Sequence, residues 1–296
     1  MATPRYINPY TDFGFKKLFG EDASKDLLID FLNAVLPKEH RVKTLKFRPT
    51  EQLADNEVDR RAIFDIACTS PKGEHFTVEM QKAKQKHFKD RALFYMSYPI
   101  QKQLKSGDWN FKLNPVILVA ILDFEYDKEE EKREIERVVS LKDQNGTVFS
   151  DNLKMIFLQM PLFNKMESEL KSKKDKWLYF LKNLESFENI PSIFQKTLFA
   201  KAFNLAEYLK YSPAEQEIYR ESHKVYLDNV NTLKTAIEEG RAEGEARGRA
   251  EGEARGRAEG RAEGRAEIAR EMKRKGLDTA LIIELTGLSE SEIERL

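Results

Sequence analysis

The stretch PVILVAILDF, Pro115 to Phe124, reads as a continuous apolar run, the signature of a strand buried on both faces. A strand of that kind has to be covered above and below, which points to helices layered on a sheet. Phe13, Leu18, Phe19, Leu27, Leu28, Phe31 and Leu32 form a helical stripe that predicts one helix from about Asp12 to Val35, with Asp12 able to serve as its N-cap. Val42 to Phe47 alternates weakly as a strand, and the polar stretch Arg48 to Arg60 follows it. Lys84 to Leu104 reads as a helix ended near Ser106-Gly107, and Leu153 to Leu162 as a further strand. Lys128 to Arg137 is charge-rich and is expected to be a solvated excursion. From Asp175 to about Glu239 the pattern is helical, broken near Pro191 and Pro213. The expected architecture is an α/β or α+β core over residues 1–165, then a helical region over 166–239.

Beyond Glu239 the composition changes. Residues 240–267 carry Gly at every fourth position and Ala two residues after each, with Arg and Glu filling the rest. Opposite charges fall at i,i+4, as in Glu243 with Arg247, and support a helix by a few tenths of a kcal/mol per pair. The glycines cost roughly 0.8–1 kcal/mol each relative to Ala, so an isolated helix is marginal. A linker and a self-associating stalk that would make a homo-oligomer both remain open, because Gly and Ala permit close approach. Residues 268–296 have the outline of half a helix-turn-helix, with Ser289 capping a last helix and Glu292 three residues on. A helical hairpin for docking or dimerisation is the favoured reading, since the acidic SESEIERL argues against a helix lying along phosphates.

The bulk numbers exclude several classes. The chain of 296 residues is 34% charged, with 50 basic and 50 acidic residues. No run approaches a membrane span, and the lone Cys68 gives no disulfide framework, so a cytoplasmic location without a membrane partner is expected.

The chemistry concentrates in FDIACTSPKGEHFTVEMQK, Phe64 to Lys82. Two short strands flank Pro71-Lys72-Gly73, a sequence suited to a three-residue hairpin loop with Gly in the left-handed position. Alternation puts Phe64, Ile66, Cys68, Phe76, Val78 and Met80 on one apolar face, and Asp65, Glu79 and Gln81 on the other. If Ser70 pairs with Glu74, Asp65 stands directly opposite Glu79. Cβ atoms of such a pair lie about 4.5–5.5 Å apart, where like charges repel. A hard divalent cation between them would turn repulsion into a chelate. The plainer reading is a solvated sheet face with Lys or Arg partners. Residues 81–112 then add eight basic residues against Asp90 and Asp108, interleaved with Phe88, Phe94, Tyr95, Tyr98, Trp109 and Phe111. Such a stretch suits phosphate binding or a plain solvated helix. No histidine pair has ligand spacing, there is no phosphate-binding glycine loop, and Cys68 lacks a nearby base.

An acid on one strand and E-x-Q on the next, between two helices, resembles the core of the PD-(D/E)XK nucleases. Within that superfamily the chain is similar to the Rpn group of recombination-promoting nucleases and transposases. The matching segments are TDFGFKKLF with Asp12 and Lys16, FDI at Phe64 to Ile66, VEMQ at Val78 to Gln81, and RALFYMSYPI with Arg91 and Tyr95. The repeat and the KGLDTALIIELTGLSESEIERL tail also resemble those of many members. The resemblance implies a restriction-endonuclease-like mixed sheet flanked by helices, and Mg²⁺-dependent cleavage of DNA with Mn²⁺ able to substitute. It implies Asp65, Glu79 and the Met80 carbonyl as metal ligands, and Asp12 as an auxiliary acid beside its N-cap role. Gln81 stands where the wider superfamily often has a lysine, and a neutral amide supplies no positive charge. Lys82 is expected on the opposite face, which leaves Lys84 or Arg91 to supply it. Lys16, Lys82, Lys84, Arg91 and Tyr95 are the expected DNA contacts. The rival reading is a non-catalytic DNA-binding or assembly protein on a nuclease-like fold.

Overall fold

The computed structural model describes residues 4–49, 51–52, 62–63, 65–82, 87–103, 112–125 and 133–296. Phe64, Lys84, Trp109 and Phe111 lie outside the described residues. The chain divides into two compact units, Met1–Val230 and Asn231–Leu296.

The first unit is built on a mixed six-stranded sheet. Its strands are β1 (Lys46–Phe47), β4 (Ile66–Thr69), β5 (His75–Gln81), β6 (Val116–Leu122), β8 (Val148–Gln159) and β7 (Glu136–Lys142), in that spatial order. The short β2 (Glu51–Gln52) and β3 (Ala62–Ile63) pair separately. β5, β6 and β8 run parallel, while β4 and β7 pair antiparallel at either side of them. Every residue of β6 is buried, as its apolar run requires of a central parallel strand.

One face of the sheet packs against α1 (Asp12–Phe19), α2 (Lys25–Val35), α4 (Lys173–Asn183) and α5 (Leu198–Ala206). Ile66, Cys68, Phe76, Val78 and Met80 meet an aromatic core there that includes Phe19, Phe31, Trp177, Phe180, Phe199 and Phe203. Trp177 stays hydrogen-bonded within it, donating its indole N–H to Asp30 at 3.0 Å. The other face is covered by α3 (Phe88–Gln101), whose Phe88, Ala92 and Met96 pack on Val116, Leu118, Ala120, Leu122 and Phe157. The N-terminal residues strap the unit shut. Tyr6 bridges to Glu207, the Ile7 N–H donates to the Ala206 carbonyl at 2.9 Å, and Tyr208 N–H donates to Arg5 at 3.0 Å.

Several expected elements need correction. The single helix from Asp12 to Val35 is two, because the chain turns at Gly20 and restarts after Ser24. Asp12 is not the N-cap: Thr11 is, its hydroxyl accepting the Gly14 N–H at 3.0 Å. Gly14 permits that turn, since a Cβ there would lie 2.2 Å from the Asn8 carbonyl oxygen. The strand expected over Val42 to Phe47 is confined to Lys46–Phe47. The helix expected from Lys84 is described from Phe88, after a left-handed His87. Arg137 belongs to β7 rather than to a solvated excursion, and β8 starts at Val148 rather than Leu153.

α6 (Pro213–Arg274) is one continuous helix of 62 residues, and the Gly/Ala/Arg/Glu repeat lies wholly inside it. Ion pairs at i,i+4 support it, among them Arg241–Glu245 at 2.7 Å and Arg257–Glu253 at 3.5 Å. In the second unit α7 (Thr279–Thr286) and α8 (Glu290–Glu294) bury Ile282 and Ile293 against Ala269. Gly287 closes α7 at φ 67°, and Ser289 with Glu292 forms the capping box of α8. Among the described residues no helix is long and apolar enough to cross a membrane.

Candidate active site

The β4–β5 hairpin sets the geometry. Ser70 N–H donates to Glu74 and Gly73 N–H to Ser70, each at 2.9 Å, and Gly73 sits at φ 85°. The ladder then runs Thr69 to His75, Cys68 to Phe76, Ala67 to Thr77 and Ile66 to Val78. One step further stand Asp65 and Glu79. The chain bends at Asp65, so the ladder ends at Ile66 and a side chain takes over. Asp65 Oδ2 accepts the Met80 backbone N–H at 2.6 Å. In a strand, N–H and C=O of one residue leave on the same edge, so the Met80 carbonyl faces the Asp65 side as well.

Glu79 is 3% exposed, beneath α3. Its Oε2 accepts the Gln81 amide N–H at 2.8 Å, while its buried Oε1 has no hydrogen-bond partner. The space beside it, lined by Phe88, Arg91, Ala92, Tyr95 and Phe157, is only about 10 Å³, room for one water. Burial and the neighbouring Asp65 push the Glu79 carboxyl up to about 8, with Arg91 and Gln81 acting the other way. Asp65 is also raised, by burial and by Asp12, against the Lys16 and Lys82 ammonium groups. Two buried, neighbouring carboxylates resist ionising together.

The remaining residues singled out from sequence fall into two groups around this pair. Asp12 and Lys16 form an i,i+4 ion pair at 3.0 Å on the first helix, and both act on Asp65. Lys82 follows the end of β5 and is half-buried over the Tyr226 ring at 5.9 Å. Burial pushes its ammonium pKa down, with Asp12 and Asp65 acting the other way. Asp65 lies within its electrostatic reach. Arg91 lies on the Glu79 side and donates its Nε–H to the Tyr95 hydroxyl at 3.1 Å. Lys84 is outside the described residues. Cys68 is buried in the core with its thiol pushed up to about 12.

Two neighbours escaped the sequence reading. Tyr226 arrives from α6, far along the chain, and nothing in its local sequence announces it. Asp123 closes the apolar run of β6 and donates its backbone N–H to Gln81 at 2.9 Å. An acid interrupting an apolar run was the available signal.

A divalent cation fits the chemistry of this pair. Asp65, Glu79 and the Met80 edge offer hard oxygen donors, one buried Glu79 oxygen has no hydrogen-bond partner, and burial raises both acids. Among the described residues no group of three or more His, Cys, Asp or Glu is placed to hold a metal ion, so two side chains and a carbonyl are what this site offers.

Residues 9–236 match the profile of the PD-(D/E)XK nuclease family transposases. The chain belongs to that family. Residues 262–296 match the C-terminal helix-turn-helix domain of the Rpn/YhgA-like nuclease family. No curated protein and no solved structure matches the chain. Family membership suggests a phosphodiester hydrolase, and nucleases of this family typically use divalent metal ions.

Proposed function

We propose that the chain is a Mg²⁺-dependent DNA endonuclease of recombination-promoting or transposase-associated type. The observation that carries this reading is the unsatisfied, buried Glu79 oxygen beside Asp65. A buried polar atom without a partner is costly, and a cation held by both acids removes that cost. Asp65, Glu79 and the Met80 carbonyl would hold Mg²⁺ or Mn²⁺. Bound there, the ion would lower the pKa of a coordinated water and offset charge on the scissile phosphate.

The rest of the work falls to the chain's own groups. Gln81 holds the Glu79 carboxylate by its amide, which fixes the orientation of the acid rather than supplying charge. The charge comes from elsewhere: Lys82 and Lys16 stand on the Asp65 side and Arg91 on the Glu79 side. Positive groups preorganised around a phosphate stabilise the transition state more than they stabilise a mobile ground state. Asp12 restrains Lys16 and helps keep Lys82 charged. Tyr95 steadies Arg91, with the guanidinium carbon 5.1 Å from its ring centroid. The C-terminal helix-turn-helix domain would bring DNA. At the seven glycines of the α6 repeat an added Cβ would meet no described atom within 4 Å beyond the helix's own backbone and chain neighbours, so a second copy of the chain could pack there.

The test is nicking of supercoiled plasmid and cleavage of single-stranded DNA with Mg²⁺ or Mn²⁺. The expected result is metal-dependent cleavage that Asp65→Asn abolishes while DNA binding persists. The enclosure of Glu79 by α3 and the missing lysine at position 81 favour one rival, a non-catalytic DNA-binding protein on the same fold. Binding without any cleavage under either metal would establish that rival.

A further inference from the structure

A cavity of about 270 Å³ opens at the carboxyl ends of β6 and β8, where ligands of open α/β sheets settle. Its lining includes Asn8, Tyr10, Asp123, Lys182, Glu185 and Tyr226. It adjoins the proposed cleavage site by two routes. Asp123 is bonded through its N–H to the Gln81 carbonyl, and Tyr226 carries the Lys82 ammonium over its ring.

Most of its polar groups are already engaged. Asn8 donates to Glu185 at 2.8 Å and accepts the Tyr10 N–H at 2.8 Å. The other Glu185 oxygen pairs with His223 at 3.3 Å. Lys182 donates to the carbonyls of Met160 and Phe163 and to Asn164. Asp123 is different: no described residue hydrogen-bonds to its carboxyl group, although the Lys182 ammonium attracts it. Burial holds that carboxyl up at about 6, so at neutral pH it is an ionised acceptor facing a cavity with two phenol rings in its wall.

A lone carboxylate fork beside aromatic rings selects a flat ligand with two adjacent N–H donors. Among the DNA bases only guanine offers this on its pairing edge. Cytosine and adenine place a ring acceptor beside their amino group, and thymine flanks its one N–H with carbonyls. We propose that the cavity receives a guanine turned out of the strand held for cleavage, its N1–H and N2 amino group donating to Asp123 beside the rings of Tyr10 and Tyr226. This rests on the nuclease reading of the neighbouring acids. Enzymes that turn a base out of the stack read it in this way, by its pairing edge and by aromatic contact.

The test is fluorescence anisotropy on the full chain, with Ca²⁺ replacing Mg²⁺ so that strands stay intact. Three single-stranded probes are compared: thymine only, thymine with one central guanine, and thymine with one central inosine, which lacks the N2 amino group. The wild type should bind the guanine strand about tenfold more tightly than the thymine strand, as a bidentate base contact allows. Inosine should lose most of that preference, and Asp123→Asn should bring the guanine strand down to the thymine level. Equal binding of all three probes by the wild type overturns the pocket and leaves the nuclease reading standing, as does a preference that survives in Asp123→Asn. Failure to bind any strand overturns both. A melting curve of Asp123→Asn separates lost recognition from lost folding, and Asp123→Glu, which keeps the carboxylate, should retain part of the preference.

Discussion

Asp65 and Met80 are joined by one short hydrogen bond, from the Met80 backbone N–H to Asp65 Oδ2 at 2.6 Å. The same carboxylate therefore finishes the β4–β5 ladder and faces the candidate cation site. Asp65→Asn retains an acceptor oxygen and removes the charge. It should keep a melting temperature close to wild type while metal-dependent nicking falls by at least about a hundredfold. Asp65→Ala also leaves the Met80 N–H unpaired and should lose about 1–3 kcal/mol of stability in chemical denaturation. Unchanged nicking in Asp65→Asn would remove this residue from the mechanism.

Glu79 links metal to pH. Its carboxyl sits at about 8 in the fold, against an ordinary value of 4.5. Between those values the folded chain holds a proton that the unfolded chain has released, so stability should fall as pH rises through this window. Mg²⁺ favours the ionised form, and its stabilising shift in melting temperature should be larger at pH 8 than at pH 5.5. Glu79→Gln should raise the metal-free melting temperature at pH 8 by about 3 °C or more and lose the Mg²⁺ shift. A Mg²⁺ shift of full size in Glu79→Gln would place the ion elsewhere.

Position 81 holds a neutral amide, so positive charge at the site has to come from neighbours, and Lys82 acts on Asp65. Lys82→Ala should lower the cleavage rate by about tenfold to a hundredfold, with a smaller effect on DNA binding. Gln81→Lys in that background should restore part of the rate, because it returns an ammonium group to the neighbourhood of Glu79. Steady-state cleavage by the four variants of this cycle measures the coupling directly. Full additivity of the two changes would argue against shared work.

Gly14 tests the N-terminal turn. A Cβ at that position would stand 2.2 Å from a backbone oxygen of Asn8, which cannot swing aside as a side chain can. Gly14→Ala should cost about 2–3 kcal/mol in urea unfolding. Gly252→Ala, with nothing within 4 Å, should instead gain up to about 1 kcal/mol of helix stability.

The hairpin was the most readable part of the molecule, because period-two alternation and a Pro-Lys-Gly turn leave little freedom of register. Ser70 pairs with Glu74 as the turn requires, and that one pairing carries Asp65 to the level of Glu79. β6 was equally plain, since burial on both faces writes an unbroken apolar run. β7 was not. It is an edge strand with charged and half-exposed residues, so its alternation is hidden among acids and bases. The break between α1 and α2 escaped because apolar spacing continues across Gly20, although Gly20 and Ser24 carried a stop and a start. Around the site, Tyr226 depends on tertiary placement that local pattern does not encode, while Asp123 is signalled only as the acid that ends an apolar run. Strand alternation does not place the charge of Lys82, because electrostatic reach at a strand end does not respect the face of a sheet.

The strap formed by residues 5–7 against 206–208 has a consequence for synthesis of the chain. The acid-bearing hairpin and the whole six-stranded sheet leave the ribosome well before Ala206 does, yet Ile7 and Tyr6 cannot find their backbone partners until then. For that interval the nascent chain displays an aromatic core with one wall missing, the condition in which partly made domains aggregate or recruit chaperones. Translation speed between about residues 160 and 210 therefore becomes a variable for soluble yield, and a truncation that stops short of the strap should fold poorly even though every candidate site residue in the sheet is present.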